Sequence, residues 1–240
     1  MTLKHIFGKP IQIEKVGDLY PVKVFDYETF EMNASILGLG KKHCIIDDEE
    51  NTNLLDLIVG ASKNEPSMIM QLENLFTLVC RKTFKFKKKN NFYAFISLND
   101  DSYIGNDNYD IVRDTIMKQN LVFEPKVYES TLVQEWANKV KKARAKKGEK
   151  ITVEDMISTV STYKGLKHEE ILDMTIYQLY SDFQRIQKLK DFDMIILFRS
   201  QGADIEPGHY AGYINMFRNP DDDIFVDKTK LKNINKAIQE

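Results

Sequence analysis

Residues Leu172 to Gly202, LDMTIYQLYSDFQRIQKLKDFDMIILFRSQG, decide the fold, because they form the longest uninterrupted helical pattern in the chain. Thr175 is suited to cap the first turn, with Met174 just outside it as part of a hydrophobic staple. Gly202 is suited to end the helix. Apolar residues recur at steps of three and four, which predicts one buried face: Ile176, Leu179, Tyr180, Phe183, Ile186 and Leu189.

The second half of this stretch differs from the first, because residues 192–198 are almost all apolar. We expect this half either to be covered on more than one side or to begin a new helix. The stretch contains no nucleophile with a base, no metal-ligand pair and no phosphate loop. It therefore predicts a packing or binding element rather than a catalytic one.

Length and composition are typical of a soluble globular protein. The 240 residues are 42% hydrophobic and 29% charged, with a formal net charge of -2, and they suffice for one or two domains. This near-neutral balance argues against a dedicated nucleic-acid-binding protein, whose surface is strongly basic. No apolar run approaches the roughly 20 residues that span a bilayer, and residues 1–15 lack the apolar core of a signal peptide. We therefore expect a cytoplasmic protein without a membrane partner, in the host cytoplasm if the protein is viral.

Residue types that bind metals are scattered along the chain. Cys44 and Cys80 lie in or beside apolar context, which predicts buried thiols in a reducing compartment. The acidic residues 47–50 lack the alternating ligands and central glycine of a calcium loop. The four histidines show no recognised ligand spacing: His5, His43, His168 and His209. We expect no metal and no cofactor.

The first 125 residues mix strand and helix patterns. Alternation over residues 10–24 around Gly17-Asp18 predicts one β-hairpin, and residues 83–98 predict a second with a basic, Asn-rich tip. Helical spacing predicts four helices, at residues 27–39, 53–61, 66–80 and 107–117. The sequence thus predicts an α+β fold whose N-terminal mixed domain covers residues 1–125.

From residue 126 to residue 240 the patterns are mainly helical, which predicts a helical second domain. Besides the helix in Leu172 to Gly202, the predicted helices cover residues 131–147, 153–163, 167–172, 209–217 and 227–238. The first of them is basic, and Gly148 follows it as part of a flexible linker around residues 139–150.

The end of the predicted 131–147 helix carries the densest charge run in the chain. It offers a basic patch for phosphate or an acidic partner, formed by Lys141, Lys142, Arg144, Lys146 and Lys147. The alternative is a solvated helix end whose lysines favour the negative pole of the helix dipole. The sequence favours this alternative, since the net charge is not basic and no aromatic residues interleave with the lysines.

Six aromatic residues on the predicted C-terminal helices form a candidate surface for a partner protein or for self-association, because aromatic residues concentrate at interfaces. They are Tyr177, Tyr180, Phe183, Tyr210, Tyr213 and Phe217. The alternative is that most of them form the core of this small helical region, and its size favours that interpretation.

The nearest approach to a polar site in the sequence is His209 beside Asp204 and Glu206. Acid–base catalysis needs groups that converge in space, and proximity in sequence does not show convergence. We expect the protein not to be an enzyme.

Three segments resemble a phage protein family. They resemble proteins encoded near the tape-measure gene of long-tailed bacteriophages that infect Gram-positive hosts. The segments are residues 165–179 with EILDMTIYQL, residues 192–196 (FDMII) and residues 19–27 (LYPVKVFDY). Those proteins are usually taken to be tail assembly chaperones or tail-assembly accessory proteins. The resemblance implies no catalytic residues.

The resemblance implies a role in binding another protein rather than in catalysis. Exposed apolar helix surface would bind the apolar-striped helices of a tape-measure or tail protein and keep them soluble until tail-tube subunits polymerise. Two other classes stay open. One is a virion structural or host-interaction protein, and the other is a nucleic-acid-binding accessory protein that uses Lys85 to Lys89 and Lys139 to Lys147.

Overall fold

The computed structural model describes residues 3–43, 52–89, 92–147 and 151–224. Within these residues the chain has the predicted α+β fold, because two small antiparallel sheets lie in the N-terminal part and helices dominate from residue 131 onward. Five predictions lie outside the described residues: the acidic run 47–50, the buried thiol of Cys44, the hairpin tip at 90–91, the Gly148 linker and the helix at 227–238.

The helices and strands follow one another with short connections. The N-terminal elements are α1 (Leu3–Ile6), β1 (Ile11–Ile13), β2 (Gly17–Leu19), α2 (Tyr27–Ala34), α3 (Leu54–Ala61), α4 (Ser67–Cys80), β3 (Phe84–Lys89), β4 (Phe92–Ser97), β5 (Tyr103–Ile104) and α5 (Tyr109–Asn120). The C-terminal elements are α6 (Thr131–Lys147), α7 (Val153–Lys164), α8 (His168–Leu172) and α9 (Ile176–Ser200).

The first hairpin is shorter than predicted and turns at a different place. Strand β1 pairs with β2 in the register Ile11↔Leu19, so the turn falls at residues 14–16 and not at Gly17-Asp18. Lys15 makes this turn in the left-handed region, with φ 64°. Beyond Leu19 the hairpin ends, because the Tyr20 N–H donates to the Val79 carbonyl of α4 at 2.8 Å.

The second hairpin forms as predicted. Strands β3 and β4 pair from Phe84↔Ser97 to Lys89↔Phe92, and β5 adds to the other edge of β4. Phe84 and Phe95 are fully buried, whereas Lys85 and Lys87 are exposed. This alternation is the expected result of a strand with one buried face.

The first hydrophobic core joins both sheets to α2, α4 and α5. At its centre Phe76 lies edge to face with Phe84, Phe95 and Tyr109, with ring centroids 5.0–6.4 Å apart. Cys80 belongs to the same core, and burial raises the pKa of its thiol to about 12. The predicted buried thiol is therefore confirmed at this position.

A second hydrophobic core packs α7 and α8 against α9. It consists of Val24, Val160, Ile171, Leu179, Phe183 and Ile186. The two cores interlock at the start of α9, because Ile176 belongs to the first core and Val24 to the second. The predicted domain boundary at residues 125/126 stays a prediction.

The start of α9 is capped as the sequence predicts. The Thr175 hydroxyl accepts from the Gln178 N–H at 3.2 Å, and the Gln178 side chain accepts from the Thr175 N–H at 2.8 Å. Gly202 follows the helix with φ 96°, a conformation that favours glycine. Between these ends α9 is continuous, so the alternative of a second helix start is wrong.

The predicted helix at residues 209–217 does not form. Helical hydrogen bonding is replaced there by side chains of α9: Arg185 donates to the carbonyls of Tyr210 and Gly212, both at 3.0 Å, and Lys188 donates to that of Tyr213 at 3.4 Å. A Cβ on Gly212 would lie 2.9 Å from the His209 carbonyl oxygen, so the close approach at this turn requires glycine. The other predicted helices within the described residues form, with shifted ends, and residues 35–38 are a 3-10 turn.

An aromatic contact ties the N-terminal helix to α9. The ring of His5 stacks on Tyr177 at 5.4 Å and meets Phe217 edge-on at 5.6 Å. Burial, with the positive charge of Lys118 adding to it, lowers the pKa of His5 below its ordinary value of 6.5. Folding therefore favours the neutral form of His5.

We predict that replacing Tyr109 with phenylalanine raises the free energy of unfolding by about 1 kcal/mol. The Tyr109 hydroxyl is buried and has no hydrogen-bond partner within the described part of the chain, so its removal relieves a desolvation cost. Chemical denaturation measures the change. The matched control is Tyr93→Phe, which should lower the same free energy by about 1 kcal/mol, because the Tyr93 hydroxyl donates to Asp56. Equal losses in both variants would contradict this account.

We also predict that the stability of the protein depends on pH through His5. Unfolded chains protonate His5 below about pH 6.5, whereas the folded chain resists protonation, so the free energy of unfolding should fall as the pH is lowered from 6.5 toward about 5. Replacement by phenylalanine keeps the aromatic contact and should flatten this part of the stability–pH curve. A His5→Phe variant with the same slope as the unmodified chain would rule out His5 as its source.

Candidate protein-binding surface on α9

The first half of α9 is an interior element. Ile176, Leu179, Phe183 and Ile186 are buried, at three- and four-residue steps, and they define the inward face of the helix. This half is fixed at its start by the Thr175 cap and along its length by α7 and α8.

The second half of α9 is exposed. Met194 and Leu197 continue the row of Phe183 and Ile186, because residues three and four apart share a helix face. Nothing in the described part of the chain covers them. We call the following four residues the apolar end of α9: Met194, Ile196, Leu197 and Phe198, with exposed fractions of 55%, 43%, 57% and 46%. The expectation that this half is covered on more than one side is therefore wrong for the described chain.

Charged residues border the apolar end of α9. Lys190, Asp191, Asp193 and Arg199 are all exposed on the same helical segment. The Lys190 ammonium lies 5.4 Å from the centroid of the Tyr163 ring, which places it beside α7. An apolar centre with a charged rim is the usual composition of a protein-binding surface.

Residues 210–213 lie along one side of α9. They are held there by Arg185 and Lys188, and the Tyr210 ring meets the Phe192 ring edge-on at 5.6 Å. This segment half-buries Phe192 and leaves the apolar end of α9 open. It therefore fixes one edge of the surface.

The structure separates the six aromatic residues that the sequence proposes as one surface. Tyr177 and Phe183 are buried, and Tyr180 and Phe217 are half-buried. Only Tyr210 and Tyr213 are exposed. Four of the six thus serve packing, wholly or in part, and the partner-binding role of the set stays a prediction.

The sequence did not predict that the four residues of the apolar end lie at the surface. The signal was present, because the run is apolar around the whole helix and yet flanked by charges at Lys190, Asp191 and Arg199. A helix that is apolar on every side is ordinarily buried. Sequence alone does not show whether the covering surface comes from the same chain or from another one.

The predicted basic patch on α6 is partly engaged within the chain. The Lys141 ammonium donates to Asp221 at 2.6 Å. Lys142, Arg144 and Lys146 are exposed to solvent. The side chain of Lys147 lies outside the described residues. In the second hairpin, Lys85 pairs with Glu73 at 2.8 Å. Each basic segment thus has at least one lysine in an ion pair within the chain.

The histidine considered for catalysis serves local structure. His209 accepts the Ala211 N–H at 3.1 Å on Nδ1 and stacks on Tyr210, so its ring stabilises a turn. Over residues 3–43, 52–89, 92–147 and 151–224, no group of His, Cys, Asp and Glu is arranged to hold a metal ion. The same residues contain no helix that is long and apolar enough to cross a membrane. That the protein is not an enzyme stays a prediction.

Comparisons with known proteins identify similar sequences. Residues 143–215 match the sequence model of the YomV second domain, a range that contains α7, α8 and α9. The chain is also 26% identical over 221 residues to the SPbeta prophage-derived uncharacterized protein YomV of Bacillus subtilis (strain 168), which covers 90% of each chain. No solved structure matches. Both similarities are to YomV, and the similarity to a prophage-derived protein supports a phage origin for this chain.

Proposed function

We propose that this chain is a non-enzymatic phage protein that binds an apolar helical segment of another protein through the apolar end of α9. One observation carries the proposal: a helix anchored firmly at its start presents four large apolar side chains, 43–57% exposed, at its other end. Water-exposed apolar surface of this kind is costly, and a partner that covers it gains free energy.

The form of the surface indicates the form of the partner. The apolar end lies on a helix, so an amphipathic helix with apolar residues at i, i+3 or i+4 and i+7 is the element best suited to pack against it. The charged rim favours partners that carry complementary charges beside their apolar stripe. Because the first half of α9 is already ordered by two cores, binding orders few further residues.

The specific function that we propose is tail assembly chaperone or tail-assembly accessory protein, acting in the host cytoplasm. The similarity to a prophage-derived protein supports it, and so does the chemistry of the surface, because long tape-measure helices carry apolar stripes that need cover before assembly. Self-association through the same surface is an outcome that light scattering detects.

Two other roles make different predictions. A virion structural protein is recovered in constant stoichiometry from purified particles, and a host-interaction protein binds one host protein tightly. A nucleic-acid-binding role is less favoured, because Lys141 and Lys85 are paired within the chain.

We predict that the double variant Met194→Glu with Leu197→Glu weakens the complex with an apolar tape-measure helix at least tenfold, because two anchors of the surface become charged. Co-expression with a tagged tape-measure fragment, followed by size exclusion with light scattering, measures the complex. The matched control is Met32→Glu, on the exposed side of α2 with an exposed fraction of 76%, which should bind normally.

Equal binding by the double variant and the control would show that the apolar end of α9 is not the binding surface. A fragment that stays insoluble, beside a chain that elutes alone, would contradict the chaperone role. Particle composition and host-protein pull-downs would then decide between the other two roles.

A further inference from the structure

A pocket of about 280 Å³ opens where the N-terminal part meets the start of α9. Its walls come from three elements that are distant in sequence, namely α2, the residues that follow α5 and the first turns of α9. Most of the lining is apolar or aromatic: Tyr27, Phe30, Leu121, Val122, Ile176 and Tyr180. A concave site with apolar walls and few polar groups is the usual form of a binding pocket.

One tyrosine of this pocket is hydrogen-bonded to a carboxylate. The Tyr27 hydroxyl donates to Glu31 Oε1 at 3.1 Å, and Tyr180 lines the same pocket. Both tyrosines are half-buried, whereas Glu31 is exposed at the rim. The pocket thus joins two aromatic rings to a negative charge.

This negative charge is not balanced within the described chain. Among the residues that the structure describes, no lysine, arginine or histidine forms an ion pair with Glu31, whereas other acidic side chains do form such pairs. Burial, then the nearby Tyr180 and the Glu31 carboxylate, raise the pKa of Tyr27, so its hydroxyl stays neutral. A cation beside Glu31 would therefore balance this charge.

One wall of the pocket is built with backbone strain. Leu121 ends α5 in the left-handed region at φ 55°, where glycine is the usual residue. A glycine there would leave that wall without a side chain. Non-glycine residues in this region carry a cost and concentrate at functional sites.

We propose that this pocket binds the side chain of a lysine or arginine from a partner protein. The positive group lies against the Glu31 carboxylate and between the two tyrosines, and the methylene stem contacts Phe30, Leu121 and Val122. Charge-assisted hydrogen bonding and cation–π attraction supply the specificity, and the apolar walls accommodate the stem. The proposal uses no residue of the apolar end of α9 and is independent of it.

The test is a titration of the full chain, followed by amide NMR, with butylammonium and butylguanidinium chloride as probes and 1-butanol as the neutral control. We expect saturable shifts at Glu31, Val122 and Tyr180 with both cations, and binding of 1-butanol at least about tenfold weaker. A short acetylated and amidated Ala-Lys-Ala peptide should bind at least as well as butylammonium, because the pocket takes a side chain of a protein.

Glu31→Gln should lower the affinity for butylammonium about tenfold, because a charge-assisted bond becomes a neutral one. The matched control is Glu28→Gln, which removes an exposed carboxylate from the same helix outside the pocket and should change nothing. Equal losses in both variants, equal binding of butanol and butylammonium, absence of saturable shifts, or a peptide that fails to bind would each overturn the proposal.

Discussion

The start of α9 is the constraint on which the rest of the structure depends. The Val24 N–H donates to the Met174 carbonyl at 2.8 Å, and the Ile176 N–H donates to the Val22 carbonyl at 3.0 Å. A helix that begins in the protein interior leaves its first N–H groups without water, so each needs a partner. Thr175 and Gln178 supply the capping box, and Gln178 also donates to the Ile6 carbonyl at 2.8 Å. One turn of chain thereby joins three parts of the molecule.

This anchoring explains how the same helix can contribute to stability and also support the proposed binding surface. Its inward face completes both cores as far as Ile186. Beyond that point residues 210–213 and Tyr163 contact the helix, and the apolar end stays exposed. The helix is therefore a rigid support for the apolar end, and its direction is fixed by contacts more than two turns away. The 210–213 segment, held by Arg185 and Lys188, sets one edge of the exposed surface.

Local signals predicted much of the fold, whereas features that depend on tertiary contact were missed. The Thr175 cap and the second hairpin follow from residue type and period. The prediction of a helix at residues 209–217 was wrong, because the side chains of Arg185 and Lys188 donate hydrogen bonds to backbone carbonyls of this segment. No local sequence pattern reveals these contacts. The apolar end was correctly identified as apolar, but its exposure depends on what packs nearby. The pocket lined by Tyr27, Glu31 and Tyr180 was not predictable from the sequence, because its walls come together only in the folded chain.

Hydrogen–deuterium exchange along α9 tests the central claim most directly, because it reports how well each half of the helix is held. In the isolated chain, amides of residues 179–187 should exchange only with unfolding of the cores, and those of residues 191–200 at least about tenfold faster, through local opening of the uncovered end. Addition of the apolar partner helix should slow exchange at residues 191–200. Equally slow exchange in both halves of the isolated chain would mean that the end is already covered, which would contradict the account.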